Sequence, residues 1–136
     1  MHNGRMGFPS GTVTLLFTDV EGSVGLWEAD REAMAEASAR HNRLVREQIE
    51  VTGGQVFKTV GEAFRAVFAD PSAALASAVA VQRAVGSHSW PPGSPIRVRL
   101  ALHTEACVER DGDYFGPAVN RVARLDRKST RLNSSH

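Results

Sequence analysis

The chain has 136 residues, of which 42% are hydrophobic and 23% charged, the balance of a single globular domain with one core. A formal net charge of +1 supplies no electrostatic pull toward nucleic acid or an anionic membrane, and neither is expected as a partner. Cys107 is the single cysteine, no apolar run reaches a membrane span, and residues 1–9 lack an apolar signal core, so a cytoplasmic location is expected.

Residues 1–10, rich in glycine and ending at Pro9-Ser10, read as a flexible lead-in. From Thr12 to Thr18, Val13, Leu15 and Phe17 alternate with polar or small neighbours, the period of a strand with one face in a core. Asp19 closes that strand, and Gly22-Ser23 turns into a helix. Asp19 has two readings: a cap for the helix, or a hard acidic ligand at a strand end, where open α/β sheets gather sites for metal-bound phosphates. Helical spacing of Met34, Ala37, His41, Leu44, Val45 and Gln48 predicts one helix from Glu21 to Val51, ended by Thr52-Gly53-Gly54.

Gln55 to Thr59 and Ala63 to Phe68 flank Val60-Gly61-Glu62 and read as a β-hairpin. Asp70 and Pro71 then open a second helix as N-cap and first helical residue, with Leu75, Ala78, Val79, Gln82 and Val85 as its inner face. After the stiff loop Trp90-Pro91-Pro92-Gly93-Ser94-Pro95, alternation of Ile96, Val98, Leu100 and Leu102 with Arg97, Arg99 and Ala101 predicts another half-buried strand. A polar turn over Glu109 to Asp113 leads to a last helix near Gly116-Pro117. Strand, helix, hairpin, helix and strand in this order predict an α+β, ferredoxin-like sandwich, a mostly antiparallel sheet with helices packed on one face. The apolar pattern stops at Leu125, so the domain is expected over residues 11–125, incomplete at its C-terminus, with 126–136 a non-native polar tail.

Four segments occur in order: Phe17-Thr18-Asp19-Val20-Glu21-Gly22-Ser23, Lys58-Thr59-Val60-Gly61-Glu62, Leu102-His103-Thr104, and Asp113-Tyr114-Phe115-Gly116-Pro117-Ala118-Val119-Asn120-Arg121-Val122-Ala123-Arg124. Together they resemble the class III adenylate/guanylate cyclase catalytic domain, and above all its bacterial cyclase-homology members. That resemblance implies conversion of ATP to 3′,5′-cyclic AMP and pyrophosphate in intracellular signalling. It implies two Mg²⁺ or Mn²⁺ ions per site, with Asp19, Val20 and Glu62 at the metal positions. It makes Lys58 and Asp113 the base-reading pair, since a lysine can donate to adenine N1 and an aspartate can accept from the exocyclic amine. Asn120 would orient the ribose and Arg124 contact the phosphate, the two sharing a helix face at a spacing of four. Metal and transition-state residues come from different subunits in this family, which implies a homodimer, with regulatory domains in a longer parent.

Two positions depart from the family pattern. Glu62 stands where the family has aspartate, its carboxylate reaching about 1.5 Å further. Glu105 stands where Leu-His-Thr usually continues with glycine, a residue that tolerates positive φ and close backbone approach. The family's triphosphate-binding lysine has no counterpart in matching context. These departures support an alternative, a degenerate cyclase-homology module that binds nucleotide or dimerises without turnover.

Plainer readings stand beside the functional ones: a solvated hairpin glutamate at 62, a snorkelling lysine at 58, a turn aspartate at 113, and surface helix residues at 120 and 124. Trp27 and Trp90 read as core or loop anchors, Cys107 as a small buried apolar residue, and His103 lacks partners at zinc-ligand spacing. A ferredoxin-like nucleic-acid module would need sheet aromatics and a basic face, which the strands do not offer. Gly53-Gly54-Gln55-Val56-Phe57 lacks the acids of a diguanylate cyclase signature.

Overall fold

Strand β1 (Gly11–Val20) is the centre of a five-stranded sheet ordered β2-β3-β1-β4-β5, with every pairing antiparallel. The structure, a computed structural model, describes residues 7–124; the expectations for residues 1–6 and for the tail 126–136 lie outside the described residues. β1 is followed by α1 (Ser23–Ala29), α2 (Arg31–Val51), the hairpin β2 (Gln55–Val60) and β3 (Ala63–Phe68), α3 (Pro71–Ser87), β4 (Val98–Arg110) and β5 (Asp113–Phe115). Residues 117–124 are helical and are called α4.

β1 is central because both its faces are covered, and the period of two sorts its residues between them. Leu16 and Val20 join Met34, Ala37, Val45, Ile49, Phe64, Phe68, Val81 and Val85 in the core beneath α2 and α3. Val13, Leu15 and Phe17 point the other way, into a second cluster with Val67, Cys107, Tyr114, Ala118 and Val119. Helices α1 to α3 thus share one face, and α4 closes over part of the other.

The single helix expected from Glu21 to Val51 is two helices. Asp30 takes an extended conformation (φ −158°) and its side chain accepts from the Ala33 amide at 3.0 Å, so it ends α1 and caps α2. Periodicity alone cannot see such a break, because the apolar face resumes in phase beyond it. Asp19 caps nothing: the N-cap of α1 is Gly22, at a left-handed φ of 65°.

On α3, Asp70 and Pro71 do start the helix, with Asp70 accepting from the Ser72 amide. Its inner face, however, is Ala74, Ser77, Ala78, Val81 and Val85, while Leu75 and Val79, expected inward, are 58% and 43% exposed. Small residues face α2 and the sheet, letting the helix approach closely and turning its larger aliphatics outward. β4 is longer than expected and pairs with β1 from Cys107 opposite Gly11 to Val98 opposite Val20. Its turn into β5 is only Asp111-Gly112, both at positive φ (54° and 79°), the mirror-type hairpin that Asp-Gly favours.

Candidate active site

Antiparallel register sets Asp19 at the end of β1 directly opposite Arg99 on β4. The guanidinium forks onto the carboxylate, Nε to Oδ1 and Nη2 to Oδ2, both at 2.9 Å. These bonds, then the charge of Asp19 itself, raise the pKa of Arg99 above its ordinary value. The pair borders a cavity of about 340 Å³ that β1, β3, β4 and α4 line through Phe17, Asp19, Arg65, Arg99, Ala101 and Val122.

Glu62 lies on the β2–β3 turn, next to Gly61, whose φ of 59° makes that turn possible. Its carboxylate faces the helices. Oε1 accepts from Ser23 Oγ, and Oε2 accepts from Trp27 Nε1 at 3.1 Å and Ser38 Oγ at 3.0 Å. Thr18 pairs with Phe64, so the β2–β3 turn falls beside the end of β1 in register, but the Glu62 carboxylate is held by Ser23, Trp27 and Ser38 whereas Asp19 is held by Arg99. The two carboxylates expected at one metal pair are therefore engaged by different partners in this chain. Val20 is buried in the helix-side core, so only its backbone oxygen is available to a cation.

Lys58 is exposed on β2, just after the irregularity that shifts register between Val56 and Lys58. Asp113 opens β5, half-buried, and its Oδ1 accepts from the Tyr114 amide at 2.8 Å. The rings of Phe57 and Tyr114 meet with centroids 4.9 Å apart, which brings β2 and β5 together and places Lys58 and Asp113 each beside one member of that pair. Tyr114 also donates its hydroxyl to the Pro9 carbonyl, and burial raises its phenol pKa.

Asn120 and Arg124 lie on the exposed side of α4, whose buried side is Ala118 and Val119. At its N-terminus the Ala118 amide donates to Glu105, 3.2 Å from Oε1 and 3.0 Å from Oε2. The charge expected to crowd a glycine position is thus a helix cap, and among the described residues Asp111 is the only non-glycine at positive φ, so residue 105 needs no glycine backbone. At 116 a Cβ would come 2.8 Å from Glu105 Oε2 and 3.1 Å from Cys107 Sγ, so a side chain there would push the Glu105 carboxylate aside. Burial first, then the charge of Glu105, pushes the Cys107 thiol up to about 11.

The family described as the adenylate and guanylate cyclase catalytic domain matches residues 8–133. The chain belongs to that family. An uncharacterized protein of Mycobacterium tuberculosis is 43% identical over 119 residues, covering 86% of this chain and 39% of that protein. An adenylate cyclase of Neurospora crassa is 34% identical over 148 residues, covering 90% of this chain and 6% of the other. Among solved structures, adenylate cyclases of Trypanosoma brucei in their monomeric state superpose with a TM-score of 0.77 at 28% identity, covering 88% of this chain and 70% of theirs. The chain therefore spans well under half the length of these curated relatives.

In this cyclase domain the two carboxylates expected at the metal positions are each engaged by other side chains. Asp19 is paired with Arg99, Glu62 is held by three donors on the helix side, and no group of three or more His, Cys, Asp or Glu among the described residues could hold a metal ion. Sequence reading missed Arg99, although its place in the alternation opposite β1 was a usable signal. It also missed Ser23, Trp27 and Ser38, whose role depends on where α1 and α2 pack and leaves no mark in spacing.

Proposed function

We propose that this cyclase domain binds ATP and forms 3′,5′-cyclic AMP and pyrophosphate, in the cytoplasm, at a site shared by two copies of the chain. One observation carries the shared site. Asn120 and Arg124 stand on the exposed face of α4 with no side-chain hydrogen bond or ion pair among the described residues, while Asp19 and Arg99 border a cavity. A two-fold arrangement, the commonest for two identical chains, would bring the outward pair of one copy to the cavity of the other.

In the reaction the ribose 3′ oxygen attacks the α-phosphorus, the bond to the pyrophosphate oxygen breaks and pyrophosphate leaves, and the hydroxyl proton passes to solvent water. Arg124 offers a permanently charged fork to the phosphoryl oxygens, and Asn120 holds the ribose so that the 3′ oxygen stays in line. Lys58 and Asp113 complement the donor and acceptor edge of adenine rather than that of guanine. Arg99, once released from Asp19, is a second cation for the triphosphate. Mg²⁺ or Mn²⁺ would neutralise phosphate charge at Asp19, and no second ion is assigned because Glu62 is engaged elsewhere.

The engagement of Glu62 favours a second reading, nucleotide binding without turnover. Mass-spectrometric product analysis after incubation with ATP or GTP, each with Mg²⁺ or Mn²⁺, separates the two. Cyclic AMP from ATP supports the first reading. Saturable ATP binding without cyclic product supports the second, and absence of both overturns both.

A further inference from the structure

Helix α1 has seven residues, none of them buried, and no side-chain cap at its N-terminus. So short a helix has little stability of its own and needs tertiary contacts to persist. Leu26 and Trp27 rest against the helix-side core, the Arg31 guanidinium lies over the Trp27 ring, and Glu62 is a further anchor. That carboxylate accepts from Ser23, the first residue of α1, from Trp27 one turn later, and from Ser38 on α2.

We infer that Glu62 is a latch: its carboxylate fixes the β2–β3 turn to α1 and α2, and this domain depends on it for folding with no cation present. The length of the side chain is what makes the latch. An aspartate, shorter by about 1.5 Å, would not span to donors on both helices at these distances without moving the turn. Drawing Glu62 toward a cation beside Asp19 would strip Ser38 and the Trp27 indole of their acceptor in a partly buried setting, a larger cost than breaking an exposed pair. The site at the end of β1 then offers a cation one acidic side chain, Asp19. None of this rests on ATP as substrate or on turnover.

The test is thermal unfolding of the full chain in EDTA, beside calorimetric titration with Mn²⁺. Glu62→Ala and Glu62→Asp should each lower Tm in EDTA by about 5 °C or more. Adding Ser38→Ala to Glu62→Ala should lower it little further, since the two act through one contact. Mn²⁺ should bind wild type at no more than one ion per chain, with affinity unchanged in Glu62→Ala. Ser38→Ala and Trp27→Phe each remove one donor, and they carry the same test if Glu62→Ala does not fold. A Glu62→Ala Tm equal to wild type in EDTA would overturn the latch. So would unchanged Tm in both donor variants, or a Mn²⁺ affinity that falls about tenfold or more on losing Glu62.

Discussion

Arg99 holds Asp19 through two parallel bonds across the β1–β4 pair, Nε to Oδ1 and Nη2 to Oδ2, each at 2.9 Å. Both side chains are largely in solvent, at 61% and 45% exposure, where such pairs add only about 0–1 kcal/mol to stability. The consequence lies in occupancy. On the proposed function, a cation entering beside Asp19 would displace the guanidinium, which would then be free to fork onto phosphate oxygens. One exchange would thereby couple cation entry to phosphate binding.

Arg99→Gln separates the two halves of that exchange. Removing the competitor should raise Mn²⁺ affinity at Asp19 roughly fivefold, the factor that about 1 kcal/mol makes, with Tm nearly unchanged. ATP affinity should fall in the same variant. Calorimetric titration with each ligand checks both, and an unchanged Mn²⁺ affinity would show that the pair does not gate the carboxylate.

The sheet was legible in the sequence because its signals are local. Val13, Leu15 and Phe17 alternate, Gly61 marks the hairpin, and Asp70-Pro71 marks the start of α3. The break at Asp30 was not legible, because an aspartate that accepts from an amide three residues on leaves the apolar period intact. Leu75 and Val79 misled because α3 is apolar nearly all round, and only packing decides which stripe turns inward. At the site, Asp19, Lys58, Asp113, Asn120 and Arg124 were singled out by type and order, and their roles belong to the proposed function. The direction of Glu62 was not, since a carboxylate goes to the better set of donors and those lie twenty or more residues away in sequence.

Base choice should follow Lys58 and Asp113, which adjoin the Phe57–Tyr114 ring contact. Competition between ATP and GTP should favour ATP in the unmodified chain. Lys58→Glu with Asp113→Cys should reverse that preference, with each lost or gained hydrogen bond worth about 1 kcal/mol. Equal affinity for both nucleotides in the unmodified chain would rule the pair out as the base reader.

A site shared between copies makes a mixing experiment decisive. Asp19→Ala and Arg124→Ala should each abolish cyclic AMP formation, and their mixture should regain it, because one interface of the heterodimer keeps both residues. The measurement is product formed by the mixture against each variant alone, with analytical ultracentrifugation confirming the dimer. If wild type is active and the mixture stays silent, both residues serve the same copy.

His41 should make stability fall in mild acid. The ring is fully buried on α2, with Nδ1 against Asn42 Oδ1 at 2.8 Å and Nε2 without a hydrogen-bond partner among the described residues. Burial lowers its pKa below 6.5, against the opposing effects of Asn42 and the charge of Glu62. The unfolded chain takes up the proton near 6.5 and the folded chain resists it, so this contribution is present above that pH and is lost below it. The loss has a limiting slope of about 1.4 kcal/mol per pH unit. Urea unfolding between pH 7.5 and 5 should show the decline, and His41→Leu should flatten it; an identical slope in the variant would assign the decline to other groups.

Glu105 should prove to be a stabilising residue, although the family pattern places glycine there. It caps α4 at the Ala118 amide, and α4 carries Asn120 and Arg124. Glu105→Gly removes the cap and adds a flexible residue to β4, so it should lose about 1–3 kcal/mol. Glu105→Gln keeps an oxygen acceptor without the charge and should lose less. Cys107 supplies an independent readout, because the charge of Glu105 adds to burial in holding the thiol near 11. Alkylation of Cys107 at a fixed alkaline pH should therefore quicken in Glu105→Gln, while burial still keeps it slower than a free thiol. A helix merely loosened by strain would raise the rate only in proportion to lost stability. Faster alkylation at nearly unchanged Tm in Glu105→Gln, with a clear Tm loss in Glu105→Gly, is the pattern that a charged cap requires; a more stable Glu105→Gly would return the position to the family's glycine.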